Sequence, residues 1–159
     1  MITTEEIWRI LEQVKDPEIP AVSVVELGMI RSVGVEGDQI IVTLTPTFIG
    51  CPALHVIQSE IEERLLQAGA PQAQTRLSFS PAWSSDWITS AGRVRLKAMG
   101  LAPPPRHDGQ LEAALLAEVN CPYCGSSQTE LKNDFGSTLC RVIYVCTACR
   151  QPFEQFKPI

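Results

Sequence analysis

Residues 121–124 of the chain are Cys-Pro-Tyr-Cys, and residues 146–149 are Cys-Thr-Ala-Cys. The two Cys-x-x-Cys pairs are separated by 21 residues. In a chain without a secretory signature, paired spacings of this kind are more typical of metal binding than of disulfides. Two such turns bring four thiolates to the corners of a tetrahedron, which is the geometry of structural zinc. The sequence therefore predicts one zinc ion held by Cys121, Cys124, Cys146 and Cys149.

The segment between the two pairs predicts a small sheet around the metal. Residues 129–133 and 139–145 can pair as a hairpin around Phe135-Gly136-Ser137. Gly125 permits a tight turn after the first pair. The tail resembles a zinc ribbon, and metal binding would supply its folding free energy because so short a piece has little core. Cys140 lies outside the pattern and is predicted to be a small buried hydrophobic residue.

Two other chemistries share parts of this pattern. Cys-Pro-Tyr-Cys is also the active-site tetrapeptide of glutaredoxins, and four cysteines can hold an iron–sulfur cluster. Thiol–disulfide chemistry needs the first cysteine at the N-terminus of a helix, whereas Gly-Ser-Ser-Gln follows the second cysteine of this pair. Paired knuckles are more typical of zinc than of a cluster, so structural zinc is the favoured interpretation.

The composition indicates a globular protein with an acidic balance. The 159 residues include 45% hydrophobic residues, and 13 basic against 18 acidic side chains give a net charge of −5. Residues 1–110 carry 9 basic and 13 acidic groups, so no basic module is available to bind nucleic acid. The first residues lack a signal-peptide pattern, and Pro46, Gly50 and Pro52 interrupt the long uncharged stretch. We therefore expect a cytoplasmic protein that does not enter a membrane.

Helices and strands alternate in the first hundred residues. Thr3 and Glu6 are spaced as a capping box, so a helix is predicted to begin there. The residue before Pro17 avoids helical geometry, which predicts that residues 16–20 form a stiff, extended acidic loop. Apolar periodicity then predicts strands over 30–35 and 40–45, a helix through 54–65, a strand near Leu77 and Phe79, and a helix over 86–99.

This alternation predicts an α+β protein with two modules. The prolines at 103–105 cannot continue a helix and stiffen the chain where the modules meet. We expect a small compact α/β domain over residues 1–105, a linker over 106–115 and the zinc ribbon over 116–159.

Cys51 is the other cysteine with candidate chemistry. It precedes Pro52 where the second helix is predicted to begin, so its sulfur would face helical amides and the positive helix end. A thiolate there could be a nucleophile or a metal ligand, and an inert packed cysteine is the alternative. His55 follows one turn after Cys51 and could approach its sulfur, but an isolated histidine is the favoured interpretation of both His55 and His107. The carboxylates that could act as acids, bases or hard metal ligands, or could cap turns instead, are Asp16, Glu18 and Glu26.

Five segments between residues 5 and 105 form an ordered set. They are Asp16-Pro17-Glu18-Ile19-Pro20, residues 24–30 (Val-Val-Glu-Leu-Gly-Met-Ile), Cys51-Pro52 preceded by Thr47, Pro81 with Trp83, and residues 100–104 (Gly-Leu-Ala-Pro-Pro). The set resembles the PaaD-like family of metal–sulfur cluster biosynthetic proteins. The resemblance implies an iron–sulfur-assembly-type domain and a role in maturing iron–sulfur proteins. It further implies that Cys51 handles iron or a transient iron–sulfur cluster, with Asp16 and Glu18 in the signature loop.

The added four-cysteine tail resembles the phenylacetate branch of this family. That branch serves phenylacetyl-CoA epoxidase, a multicomponent di-iron oxygenase fed by a flavin and iron–sulfur reductase. The resemblance implies an accessory or maturation role rather than an enzyme, with the oxygenase and reductase subunits as partners and a homodimer as a further expectation. A purely structural or interaction subunit is the alternative function. One departure is Arg150, at a position where a second glycine often follows the second knuckle.

The sequence agrees that the oxygenase centre lies elsewhere. A di-iron carboxylate site needs Glu-x-x-His motifs, and neither His55 nor His107 has a glutamate three residues before it.

Overall fold

The computed structural model describes residues 2–159. Contacts group the chain into two units, the first ending at Trp83 and the second comprising Ser84–Ile159. Both contain helices and strands, which confirms the predicted mixed architecture. The predicted modules over 1–105, 106–115 and 116–159 stay a prediction. Among residues 2–159, none of the helices has the length and apolar character that a bilayer crossing requires.

The first helix begins at the predicted capping box. Helix α1 spans Thr4–Leu11. The backbone amide of Glu6 donates to Thr3 Oγ1 over 3.3 Å, and the amide of Thr3 donates to Glu6 Oε2 over 2.8 Å. Two amides at the helix start are thereby satisfied. One face of the helix buries Ile7 and Leu11 completely in the core of the unit.

Residues 16–20 form a hairpin turn, so the predicted extended loop is wrong. Strands β1 (Lys15–Asp16) and β2 (Ile19–Ser23) pair antiparallel. The buried carboxylate of Asp16 accepts hydrogen bonds from the amides of Glu18 and Ile19, at 2.8 and 3.2 Å. An aspartate that binds the amides two and three residues ahead closes a turn, and Pro17 fits within it.

The main sheet of the N-terminal unit has the order β3-β4-β5. Strands β3 (Ile30–Glu36) and β4 (Gln39–Leu44) pair antiparallel, as predicted. Strand β5 (Gln72–Leu77) is parallel to β4, which requires a crossover connection, and α2 (Leu54–Gln67) provides it. Phe79, predicted within the last strand, lies beyond its end. The helix residues buried in the core are Leu54, Ile57, Ile61 and Leu65.

The C-terminal unit is built on a four-stranded sheet of order β6-β9-β8-β7. The predicted hairpin is confirmed, and two strands that the sequence did not predict extend it. The sheet contains β6 (Leu101–Ala102), β7 (Thr129–Asn133), β8 (Arg141–Cys146) and β9 (Pro152–Phe156). Neighbouring strands are antiparallel except for β6 and β9, which are parallel.

Two helices and a 3-10 turn complete this unit. The turn spans Ser85–Trp87, α3 spans Ser90–Ala98, and the short α4 spans Leu111–Leu115. The helix predicted over 86–99 starts later because Thr89 is its N-cap and accepts a hydrogen bond from the amide of Gly92 over 3.0 Å.

Candidate functional site

The four cysteines of the two Cys-x-x-Cys pairs converge in the C-terminal unit. Their sulfur atoms all lie within 4.8 Å of one another, with 3.7 Å from Cys121 to Cys149 and 3.6 Å from Cys124 to Cys146. A tetrahedron of sulfurs about 2.3 Å from a central ion has edges of about 3.8 Å. The arrangement therefore fits one tetrahedral metal ion bound by four thiolates.

The two cysteine turns repeat one backbone geometry. In the first, the amide of Gly125 donates to the carbonyl of Cys121 over 2.9 Å, and in the second the amide of Arg150 donates to the carbonyl of Cys146 over 2.8 Å. Gly125 has a φ of +76° and Arg150 a φ of +63°. The second turn thus places a residue with a Cβ in the left-handed region, where glycine is the favoured residue.

We expect Arg150→Gly to raise the free energy of unfolding of the C-terminal unit by about 0.5–1 kcal/mol, because it removes left-handed backbone strain. Denaturant unfolding of the metal-loaded chain measures the change. The matched substitution Gly125→Ala introduces the same strain into the first turn and should lower stability. A loss of stability in Arg150→Gly would contradict this account of the turn.

The electrostatics of the four thiols favour a cation. The backbone amide of Cys149 approaches the sulfur of Cys146 to 3.5 Å and lowers the pKa of Cys146 to about 7. The amide of Gln151 lowers the pKa of Cys149, but burial and the three neighbouring sulfurs outweigh it and raise that pKa to about 12. Four thiolates this close repel one another, so all four can be charged together only around a cation.

Two cysteines of the cluster are also part of a hydrophobic core. Cys121 and Cys146 are completely buried and belong to a cluster with Ala102, Val119 and Phe153. Tyr144 stacks on Phe153 with 5.7 Å between the ring centroids. Two of the four ligands are therefore core residues of the unit they would crosslink.

Cys140 lies outside the cluster. It is half-buried on the approach to β8, and its sulfur is 3.0 Å from the hydroxyl oxygen of Thr138.

Cys51 lies in the loop between β4 and α2 of the N-terminal unit. Its side chain is half-buried, and its amide donates to the carbonyl of Phe48 over 3.2 Å. The carbonyl of Cys51 accepts from the amide of Leu54, also over 3.2 Å. The N-cap of α2 is Ala53 and the helix begins at Leu54, so Cys51 lies two residues before the N-cap, and the prediction that the helix begins at Pro52 is wrong. The loop is thus held by backbone hydrogen bonds on both sides of the thiol.

Exposed apolar side chains lie in this loop and after β5, where the two parallel strands end. Leu44 at the end of β4 pairs with Leu77 at the end of β5, so both strands leave the sheet at the same edge. Ile49 is 77% exposed in the Cys51 loop, and Phe48 and Phe79 are exposed as well. We call this edge, comprising residues 48–51 and 77–79, the Cys51 edge.

The remaining predicted residues lie on separate elements. Asp16 and Glu18 belong to the β1–β2 hairpin, where the carboxylate of Asp16 binds two backbone amides. Glu26 binds the amide of Ser23 over 2.9 Å and caps a turn. His55 is exposed on α2. The structure therefore assembles the four C-terminal cysteines, while Cys51, Asp16 and Glu18 occupy two different segments of the N-terminal unit.

A polar network around His107 was missed by sequence reasoning. The imidazole Nε2 lies 3.2 Å from Ser84 Oγ and 3.0 Å from the carbonyl oxygen of Ile159, and Nδ1 lies 3.5 Å from Asp86 Oδ2. Burial raises the pKa of Asp86, but the amides of His107 and Asp108 outweigh it and hold that pKa below its usual range. The partners are far apart in sequence, so local spacing carries no signal for this network.

Two family descriptions match the chain. Residues 4–75 match the family described as iron–sulfur cluster assembly protein, and residues 105–157 match the PaaD zinc beta ribbon domain. The fold and the cysteine cluster thus define an iron–sulfur-assembly-type domain joined to a zinc ribbon. An Escherichia coli K12 protein, named as one component of a "Putative 1,2-phenylacetyl-CoA epoxidase", is 42% identical over 97% of this chain and 92% of its own length. The chain belongs to the PaaD family.

Shorter relatives match the N-terminal part. An Fe-S protein maturation auxiliary factor from Porphyromonas gingivalis is 35% identical over 59% of this chain and 90% of its own. The crystal structure of a domain of unknown function from Bacillus anthracis has a TM-score of 0.54 at 26% identity, covering 58% of this chain and 89% of that one. A conserved hypothetical protein from Thermotoga maritima has a TM-score of 0.51 at 26% identity, covering 60% and 94%. These three matches each extend over about three fifths of this chain.

Proposed function

We propose that this protein is an accessory, non-enzymatic maturation component of a phenylacetyl-CoA epoxidase system. In this role it handles iron or an iron–sulfur cluster through Cys51. The observation that carries the proposal is the position of Cys51, half-exposed before α2 in the region that matches the iron–sulfur cluster assembly family. The 42% identity to the Escherichia coli epoxidase component supports the assignment to this oxygenase system.

The Cys51 edge suits transient transfer rather than permanent storage. A single thiolate cannot hold a cluster alone, so the remaining ligands must come from a partner, a second copy of the chain or a small thiol. Exposed Ile49 and Phe48 would be covered by that partner, which would exclude water from the transferred iron. Glu18 is the hard-ligand candidate of the β1–β2 hairpin, and Asp16 positions it by closing the turn.

The four C-terminal cysteines are proposed to hold zinc. Their sulfur spacing fits a tetrahedral ion, and a site with four protein ligands leaves no open position for a substrate. Zinc there supplies folding free energy, and the C-terminal unit serves as a docking element for the oxygenase and reductase subunits. We place the protein in the cytoplasm, where these thiols stay reduced.

Metal analysis tests this proposal. Wild type, Cys51→Ser and the control Cys140→Ser are purified anaerobically, incubated with ferrous and ferric iron, sulfide and a small thiol that can supply the remaining ligands, and desalted. Zinc, iron and acid-labile sulfide are then measured per chain. We expect about one zinc in all three proteins, with iron and sulfide retained only by wild type and Cys140→Ser. If all three proteins contain zinc and none contains iron, the result would contradict the proposal that Cys51 handles iron or an iron–sulfur cluster.

The presence of zinc without iron would favour a structural or interaction subunit of the oxygenase complex. The observation behind this alternative is the exposed apolar end of α4, where Leu115 is 61% and Leu116 is 86% exposed. Such a subunit would co-purify with the oxygenase whether or not Cys51 is present.

A further inference from the structure

A cavity of about 370 Å³ lies on one face of the C-terminal sheet. Val142 of β8 pairs with Gln155 of β9. Two residues further along β8, Tyr144 pairs with Leu131 of β7. Paired residues share a face of the sheet, as do residues two apart in a strand, so these four side chains lie side by side and line the cavity. The apolar wall opposite them includes Ala114 and Leu115 of α4. We call this space the sheet cavity.

The sheet cavity contains a buried polar side chain without a hydrogen-bond partner. Gln155 is 4% exposed and lines the cavity. Its carboxamide offers two N–H donors and an oxygen acceptor. Among residues 2–159, no group donates to this carboxamide or accepts from it. Burying an amide without a partner is unfavourable, and an apolar side chain would match the neighbouring Val142 better. The unused donors and acceptor therefore point to a ligand in the cavity.

The other polar groups of the lining favour a neutral ligand. Tyr144 contributes a phenol, which can both donate and accept a hydrogen bond. The charged residues of the lining are Asp134 and Lys157, whose charges cancel. The ammonium of Lys157 lies 5.2 Å from the centroid of the Phe135 ring, so it already has a favourable contact. A carboxylate ligand would meet the charge of Asp134, and an ammonium ligand that of Lys157. Neither anions nor cations are therefore selected.

We propose that the sheet cavity binds a small neutral molecule that has an apolar body and an amide group paired with the carboxamide of Gln155. The ligand carbonyl accepts a hydrogen bond from Gln155 Nε2, and the ligand N–H donates to Gln155 Oε1. The apolar walls cover the body of the ligand and keep water from both bonds. The volume of the cavity lies within the range of small-molecule sites. The inference is independent of the proposed function, since neither Cys51 nor the cysteine cluster lines the cavity.

Nuclear magnetic resonance titrations of the zinc-loaded, full-length chain test the proposal. The first probe is N-methyl-2-phenylacetamide, and the second is methyl phenylacetate, an ester of nearly the same shape that lacks the N–H donor. The third is N-acetyl-leucine methylamide, which represents the backbone of a protein segment. Gln155→Met replaces the carboxamide by an apolar side chain of similar length, and Gln67→Met makes the same change at an exposed position of α2. Thermal unfolding without probe is measured for each protein.

We expect wild type and Gln67→Met to bind the phenylacetamide about tenfold more tightly than the ester, because only the amide satisfies both atoms of the Gln155 carboxamide. The side-chain N–H signals of Gln155, assigned by their absence from Gln155→Met, should shift as the amide binds. Gln155→Met should bind both probes with equal, weaker affinity and unfold at a temperature no lower than wild type, since it removes an unsatisfied group.

Three results would overturn the inference. One is a wild type that binds none of the probes. Another is a preference for the amide that survives in Gln155→Met, above all if that variant also unfolds at a lower temperature, because Gln155 would then have a structural role only. The third is binding of N-acetyl-leucine methylamide without binding of the phenylacetamide, which would assign the cavity to a protein segment. Each of these results leaves the proposed role of Cys51 unaffected.

Discussion

Chelation of the metal should unfold the C-terminal unit while the N-terminal unit keeps its structure. Cys121 and Cys146 are completely buried in the small core of the C-terminal unit, so removal of the ion leaves adjacent thiols in place of a crosslink. Structural zinc contributes about 10–16 kcal/mol of apparent binding free energy in zinc-finger peptides, which exceeds the stability of most small domains. Limited proteolysis with and without a strong chelator measures the effect, and the expected product is a resistant N-terminal fragment.

Two single substitutions separate metal binding from general cysteine effects. Cys124→Ser removes an exposed cysteine of the cluster and should reproduce the chelator phenotype at lower chelator concentration. Cys140→Ser removes a half-buried cysteine outside the cluster and should behave as wild type. A C-terminal unit that resists proteolysis after complete metal removal would show that its sheet is stable without the ion.

Cys51→Ser is expected to reduce phenylacetyl-CoA consumption in cells by at least about tenfold, since an alcohol neither ionises at neutral pH nor binds iron as strongly as a thiolate does. The substitution is nearly isosteric and affects a half-buried side chain whose amide and carbonyl make the local hydrogen bonds. The loop should therefore keep its structure. Cells in which this gene is replaced by the variant provide the measurement, with protein abundance determined in parallel.

The matched control for this experiment is again Cys140→Ser. It should sustain the wild-type rate at equal abundance. A wild-type rate in Cys51→Ser cells would show that this thiol does not handle iron or a cluster. It would favour the alternative of a structural or interaction subunit. Loss of activity together with loss of the protein would report on folding, and the abundance measurement identifies that case.

The parts of the fold that were predicted correctly depend on local chemistry. Thr3 and Glu6 form the expected capping box because both halves of that motif lie within one helical turn. The hairpin between the two cysteine pairs forms in the predicted part of the chain, because alternating residues and a glycine-containing tip specify it locally. The four-cysteine cluster was predictable for a similar reason, since Cys-x-x-Cys spacing encodes the turn that directs both sulfurs inward.

The parts that were not predicted depend on contacts between distant residues. The first helix ends at Leu11, well before Pro17, and the buried carboxylate of Asp16 decides that residues 16–20 turn back. Nothing near Leu101 in sequence indicates that it pairs with residue 154. The same holds for His107, which meets the carbonyl of Ile159 across 52 residues of chain.

Strand β6 limits how the cysteine-rich tail can be inherited. Leu101–Ala102 precede the proline run, yet they pair in parallel with β9 and form one border of the C-terminal sheet. A tail transferred to another gene without the residues that precede the prolines would contain β9 as an exposed edge strand. The unpaired N–H and C=O groups of that strand would promote aggregation. The cysteine-rich tail is therefore not an independently transferable module. Recombination that moves it between proteins must carry the upstream segment along or join the tail to a host that already provides a strand.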